Sequence, residues 1–257
     1  MITQGIEAGK AAADWLPDWR IAQAYAYTAG LDGAGWAWEF LRRNTVYQAE
    51  WAAFRGTWTE LEAAYGEPPN RDFNAWKEDP RAYVRVSDGN PGDCLVDQDR
   101  VLIECALGAR WGFHKFPPDP ADQDAVAGGR LTWRPRSGSI TLVDDPYSGF
   151  LGADASRVAL GFDLAGDLRE QLELAKRKLQ VLQRQRVRQG QLQPRRVALL
   201  RERWCLLLKL LDARAAGVGE QELTAALFAG DARAMAGALV EAHGLCDGGY
   251  LELPAFK

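Results

Sequence analysis

Apolar positions recur with a helical period in the first and last thirds of the chain and break into short runs between them. Near the N-terminus the pattern predicts a helix over Trp19–Ala29, with Asp18 as its cap and Gly30 where it would end. Asp32 is a second cap candidate and Asn44 a third. After Asn44, the residues Tyr47, Trp51, Phe54, Trp58, Leu61 and Tyr65 recur at spacings of four and three. They form one stripe on a helix of about 20 residues, closed by Gly66 and Pro68. Packing between helices fits this stripe better than a stacking platform for bases, because few cations interleave with it.

From about Ser87 to Ser156 the pattern changes to short apolar runs broken by Gly, Pro and Asp. CLVDQDRVLIECALGARWGFHKF, RLTWRPRSGSITLV and RVALGFDL read as short strands with tight turns, the second as a hairpin turning at Arg136 to Ser139. The helical period returns after Asp163, a possible cap, where Leu168, Leu172, Ala175, Leu179 and Leu182 alternate at four and three. This predicts a helix of about 20–25 residues with one apolar seam, ending at Gly190. Pro194 suits the first turn of the next helix, in which Val197, Leu200, Trp204, Leu207, Leu208 and Leu211 line one face before Gly217 and Gly219. A short helix over Glu220–Phe228, another over Ala232–His243, and a turn and strand in GLCDGGYLELP then follow the order of a winged helix-turn-helix. The predicted class is α+β, mainly α. It comprises an aromatic-rich N-terminal helical module (1–86), a small β-rich middle (87–160) and a C-terminal helical domain with a helix-turn-helix-like unit (161–257).

Composition narrows the function classes. With 257 residues, 47% hydrophobic and 26% charged, the chain reads as globular. The first residues lack the apolar core of a signal peptide and no run of 18 apolar residues occurs, so a cytosolic protein without a membrane partner is expected. Seven of the ten tryptophans fall in the first 80 residues, which predicts a core belonging to that third alone. Cys94, Cys105, Cys205 and Cys246 form no CxxC pair and only two histidines are present, so reduced structural thiols and no metal site are expected. His114 belongs to no motif, and Asp144 and Asp145 before Pro146 read as an ordinary loop. Neither a nucleotide loop, a nucleophile elbow nor HExxH occurs. Nothing in the sequence points to an enzyme, a cofactor or a small-molecule substrate.

Charge is segregated. Between Lys176 and Arg203, ten of 28 residues are Lys or Arg and only Glu202 is acidic, inside a chain of formal net charge −4. A solvated helix face accounts for such a run, and so does an electrostatic footprint for a polyanion. On the second reading the DNA-binding candidates are Lys176, Arg177, Lys178, Arg184, Arg186, Arg188, Arg195, Arg196, Arg201 and Arg203, joined by Arg214 and Arg233 further on.

Two segments carry a resemblance. DWRIAQAYAYTAGLDGAGWAWEFLRRNTVY resembles the Trans_reg_dom module of proteobacterial regulators, the match resting on Trp36, Trp38, Glu39, Phe40, Leu41, Arg42, Arg43 and Asn44. LLKLLDARAAGVGEQELTAALF and GGYLEL resemble the RovC-like DNA-binding domain, formerly DUF2285, through Leu210, Leu211, Asp212, Ala213, Arg214, Ala216, Gly217, Leu223, Ala226, Leu227, Phe228, Gly248, Gly249 and Tyr250. Together they imply a transcriptional regulator acting on double-stranded DNA, an activator of a mobile-element or secretion-type operon. A homo-oligomer is also expected, with the Leu168–Leu182 seam either mediating self-association or packing on its own domain. One departure stands out: the resemblance implies an Arg-rich helix before the closing GGY, but DARAMAGALVEAHGLC holds only Arg233. A recognition helix needs donors for base edges and cations for phosphates. A protein-interaction module or antiactivator that keeps the fold without reading DNA therefore stays open beside the DNA reading.

Overall fold

The computed structural model describes residues 15–89, 92, 94–134, 158–193 and 195–256. In chain order its α-helices are α1 (Gly33–Leu41), α2 (Thr45–Tyr65), α3 (Phe73–Glu78), α4 (Ile103–Arg110), α5 (Leu168–Arg188), α6 (Val197–Ala215), α7 (Glu220–Phe228) and α8 (Ala232–Cys246). Strands β1 (Tyr83–Arg85) and β2 (Arg100–Leu102) pair antiparallel, with Val84 opposite Val101. The class is α+β and mainly α. Packing divides the chain into two units, one of Met1–Arg136 with Val197–Lys257 and the other of Ser137–Arg196. That grouping differs from the division by sequence pattern into 1–86, 87–160 and 161–257.

Capping fixes where the N-terminal helices begin. Asp32 Oδ1 accepts from Gly35 N at 2.8 Å and starts α1. Asn44 Oδ1 accepts from Val46 N and Tyr47 N at 2.8 and 2.9 Å and starts α2. The Asn44 amide also donates to Cys246 O at 3.0 Å, so one side chain caps α2 and satisfies a carbonyl at the end of α8. The first predicted helix is instead a 3-10 segment, Ala22–Gly30.

The aromatic third shares its main core with the C-terminal helices and keeps only a smaller cluster of its own. α1 is buried on every side, eight of its nine residues with Glu39 the one charged among them, and a helix of that kind needs neighbours all round. Trp36 and Phe40 pack on Trp204 of α6 at centroid distances of 5.4 and 6.4 Å, and Trp204 packs on Phe256 at 5.5 Å. Trp38 meets Tyr47 and Phe113 edge-on at 6.0 and 6.3 Å. The main core thus runs from Trp19 to Leu253 through α1, α6, α7 and α8. Trp58, Leu61, Trp76 and Ala82 form a smaller cluster under α2, with the Arg71 guanidinium 3.7 Å over the Trp76 ring.

Three further expectations need correction. The first apolar run of the middle holds strand β2 and then turns helical as α4, because Ala106, Leu107 and Ala109 favour a helix once Cys105 and Ala106 are buried. Cys94 and Cys105 are paired as a disulfide with Cα atoms 5.9 Å apart, a separation within the usual range, rather than standing as free thiols. The closing GYLELPA is a 3-10 segment and not a strand. It lies against the start of α1 so closely that a Cβ on Gly33 would collide with the Leu253 carbonyl. The hairpin turn predicted at Arg136 to Ser139 lies outside the described residues.

Candidate nucleic-acid interface

Availability separates the cations of this chain. Arg42 and Arg43 are buried and already engaged. Arg43 donates to Asp212 through Nε and Nη2 at 2.6 and 2.9 Å and to Glu39 Oε2 through Nη1 at 2.5 Å. Tyr25 donates to the same Asp212 at 2.6 Å, Tyr27 to Glu39 at 2.8 Å, and Arg42 reaches Glu39 Oε1 at 3.3 Å. Burial pushes the Glu39 carboxyl up, but Arg43 and Arg42 outweigh it and hold the group below its ordinary range. Burial likewise disfavours charge on Arg43, and Asp212 and Glu39 more than restore it. Two cations and two carboxylates therefore neutralise one another inside the fold, fixing α1 to α6 and leaving nothing for a phosphate.

The candidates from the basic stretch are placed otherwise. α5 begins at Asp167, whose Oδ1 accepts from Arg169 N at 2.8 Å, and ends at Arg188. It carries Lys176, Arg177, Lys178, Arg184, Arg186 and Arg188, and none of its residues is buried. At 3.6 residues per turn, Arg177, Arg184 and Arg188 fall within about 40° of one another, on the side opposite the leucine seam. The three span about 16 Å along the axis and all are exposed. Lys176 and Lys178 stand to either side of the seam, Lys176 with Glu173 at 3.9 Å. Arg186 continues the row of Leu172 and Leu179. The exposed Arg195 and Arg196 close this unit of the chain. Arg169, which the charge count passed over because Glu170 and Glu173 dilute it, adds a seventh cation to α5.

The other candidates belong to the larger unit. Arg201 and Arg203 lie in the first half of α6 and Arg214 in its last turn, about 20 Å from Arg201 along the axis. Arg203 is held by Glu241 of α8 at 2.6 Å, so its charge is already met. Arg233 opens α8 behind Asp231, whose Oδ1 accepts from Arg233 N and Ala234 N. The rest of the outward face of α8 consists of Ala236, Gly237, Val240, Glu241, His243 and Gly244, with Val240 75% exposed. α7 and α8 meet at 98° across the turn Ala229–Asp231, where Ala229 and Gly230 adopt positive φ. Among the described residues no group of His, Cys, Asp and Glu could hold a metal ion, and no single helix is long and apolar enough to cross a membrane.

The deepest part of this architecture has a counterpart among known families. Residues 18–74 match the family model of the proteobacterial transcriptional regulator-like domain. That regulator-like domain takes in the 3-10 segment, α1, α2 and the start of α3, and with them Tyr25, Glu39, Arg42 and Arg43. No curated protein and no solved structure matches the chain at a significant level. The RovC-like resemblance of residues 210–250 falls outside the matched segment. The match indicates a regulatory role for the protein.

Proposed function

We propose that the protein is a DNA-binding transcriptional regulator whose affinity for double-stranded DNA comes mainly from phosphate contacts made by α5. The observation that carries this reading is the exposed row Arg177, Arg184 and Arg188 on a helix with seven cations and two acids, in a chain that is otherwise acidic. The regulator-like domain and the RovC-like resemblance of the C-terminal helices support it. The near-perpendicular α7–α8 pair supports it too, since helix-turn-helix units cross at about 90–120°. Phosphate contacts position a protein without reading sequence. Base readout would then fall to α8, which offers only Arg233 as a long cationic donor. On this account the protein activates a mobile-element or secretion-type operon as the resemblance implies, with specificity modest relative to affinity. Titration of the purified chain against labelled DNA from upstream of its own gene, with unrelated competitor DNA, tests the reading. Binding that competitor displaces only in excess supports it, and equal displacement by both contradicts it.

The outward face of α8 favours a second reading. A face of Ala, Gly and Val with Glu241 engaging Arg203 suits a protein surface better than a groove of DNA. An antiactivator would keep the fold and bind a homologous regulator. Co-purification with such a homologue, without any shift of DNA mobility, separates the two readings.

A further inference from the structure

α5 presents a different chemistry on the side away from Arg177, Arg184 and Arg188. Leu168, Leu172, Ala175, Leu179 and Leu182 form a seam over its first four turns, and Leu168, Leu172 and Leu179 are 46%, 59% and 41% exposed. Three properties define what covers it. First, the seam is narrow, about 80° wide. That is the width of a helix-to-helix seam; a helix lying in a lipid interface needs an apolar face of roughly 100° or more, normally with aromatic residues. Second, the positions flanking the seam are Arg169, Gln171, Lys176, Lys178, Gln183 and Gln185. All are basic or neutral, and the only acids of α5, Glu170 and Glu173, lie outside the flanks. Third, Lys176 and Lys178 stand on the two sides of the seam, about 80° from its centre, so each edge carries a cation.

Flanking charges set partner choice between paired helices. A second copy of α5 brings no carboxylate to Lys176 or Lys178 in either orientation, and a parallel copy sets Arg186 against its own image. Like charges at such positions disfavour pairing. We propose that α5 docks an acidic amphipathic helix of another protein along the seam from Leu168 to Leu182, with the carboxylates of that helix against Arg169, Lys176 and Lys178. The docking uses the face opposite the phosphate-contacting row, so it does not depend on DNA binding and leaves that row accessible. It gives the regulator a protein input distinct from its DNA output.

The test uses the full chain and fluorescently labelled designed peptides of about three heptads, the length of α5. One has Leu at the seam positions with Glu flanks, one has the same seam with Lys flanks, and one is a scramble of the acidic peptide. Fluorescence anisotropy is expected to show binding of the acidic peptide only. Leu172→Lys with Leu179→Lys should weaken it at least tenfold at unchanged far-UV circular dichroism. Lys176→Glu with Lys178→Glu should reverse the preference toward the Lys-flanked peptide while keeping the seam, which a variant that merely failed to fold would not do. Equal binding of the acidic peptide and its scramble overturns the proposal, as does indifference to the leucine pair. A dimer mass by light scattering that the leucine pair reduces to monomer assigns the seam to a second copy. Binding of anionic phosphatidylglycerol vesicles in preference to the acidic peptide assigns it to a lipid surface. Either result also overturns the proposal.

Discussion

Arg43 joins carboxylates that are far apart in sequence, Glu39 one turn before it on α1 and Asp212 on α6, 169 residues away. A buried pair is not in itself strong evidence of stability, but removing one partner strands a charge. Arg43→Met should destabilise the protein by about 3–5 kcal/mol, and Arg43→Lys should also destabilise it because an ammonium cannot supply the two-pronged contact. Thermal unfolding followed by circular dichroism measures both. Glu39, with its carboxyl held low, contributes stability that is complete above the unfolded value of about 4.3 and is lost as pH falls through the folded one. Glu104 behaves oppositely. Burial raises its carboxyl, which a backbone hydrogen bond and the charges of Arg71 and Lys115 only partly offset, and Oε2 has no hydrogen-bond partner. Its ionisation therefore opposes folding as pH rises above about 4.3. Glu104→Gln should raise Tm at pH 7 and give no gain near pH 4; an equal change at both pH values would contradict that origin. The Arg43 network was not legible in the sequence beyond the oddity of charges inside apolar runs, GWAWEFLRRN and LLKLLDARA, because pairing over 169 residues leaves no local periodicity.

The helices were legible in proportion to their capping and to how one-sided they are. α2 runs from the residue after Asn44 to the residue before Gly66, as its cap and stripe predict, and α7 spans Glu220–Phe228, as its apolar positions between glycine turns predict. α4 was not, because IECALGAR is too short to display a period and its neighbours, Leu102 and Trp111, are neither caps nor breakers. GYLELPA was not either. Its alternation suits a strand, but Pro254 lacks a donor for a ladder, and the segment's neighbour is the N-terminal end of α1 rather than a sheet edge. Two glycines within helices separate packing from propensity. On Gly33 a side chain would meet the Leu253 carbonyl and lie 2.7 Å from the Phe256 oxygen, while on Gly56 of α2 it would meet nothing within 4 Å. Gly33→Ala should cost about 1–3 kcal/mol, as overpacking does. Gly56→Ala should stabilise by about 0.5–1 kcal/mol. Denaturant melts of the two variants, read at constant m-value, decide the point; a stabilising Gly33→Ala would place the C-terminal segment elsewhere.

For the whole molecule, the charge segregation seen in sequence survives folding with a change of meaning. The acidic remainder buries Arg42 and Arg43 and engages others in pairs, such as Arg203 with Glu241, while Arg177, Arg184 and Arg188 of α5 stay exposed. The sequence could place all twelve candidate residues on helices or at their ends, but not foretell that they divide between two packing units or that Arg203 is engaged. A regulator anchored by phosphate contacts loses affinity with salt at a logarithmic slope of about −0.9 per phosphate neutralised. The most direct test of that claim is the salt dependence of DNA affinity for the native chain beside Arg177→Gln/Arg184→Gln/Arg188→Gln, with far-UV circular dichroism confirming that the helices persist. The account predicts a steep slope for the native chain and one shallower by about 2–3 for the triple variant. Identical slopes, or binding indifferent to salt, would contradict it.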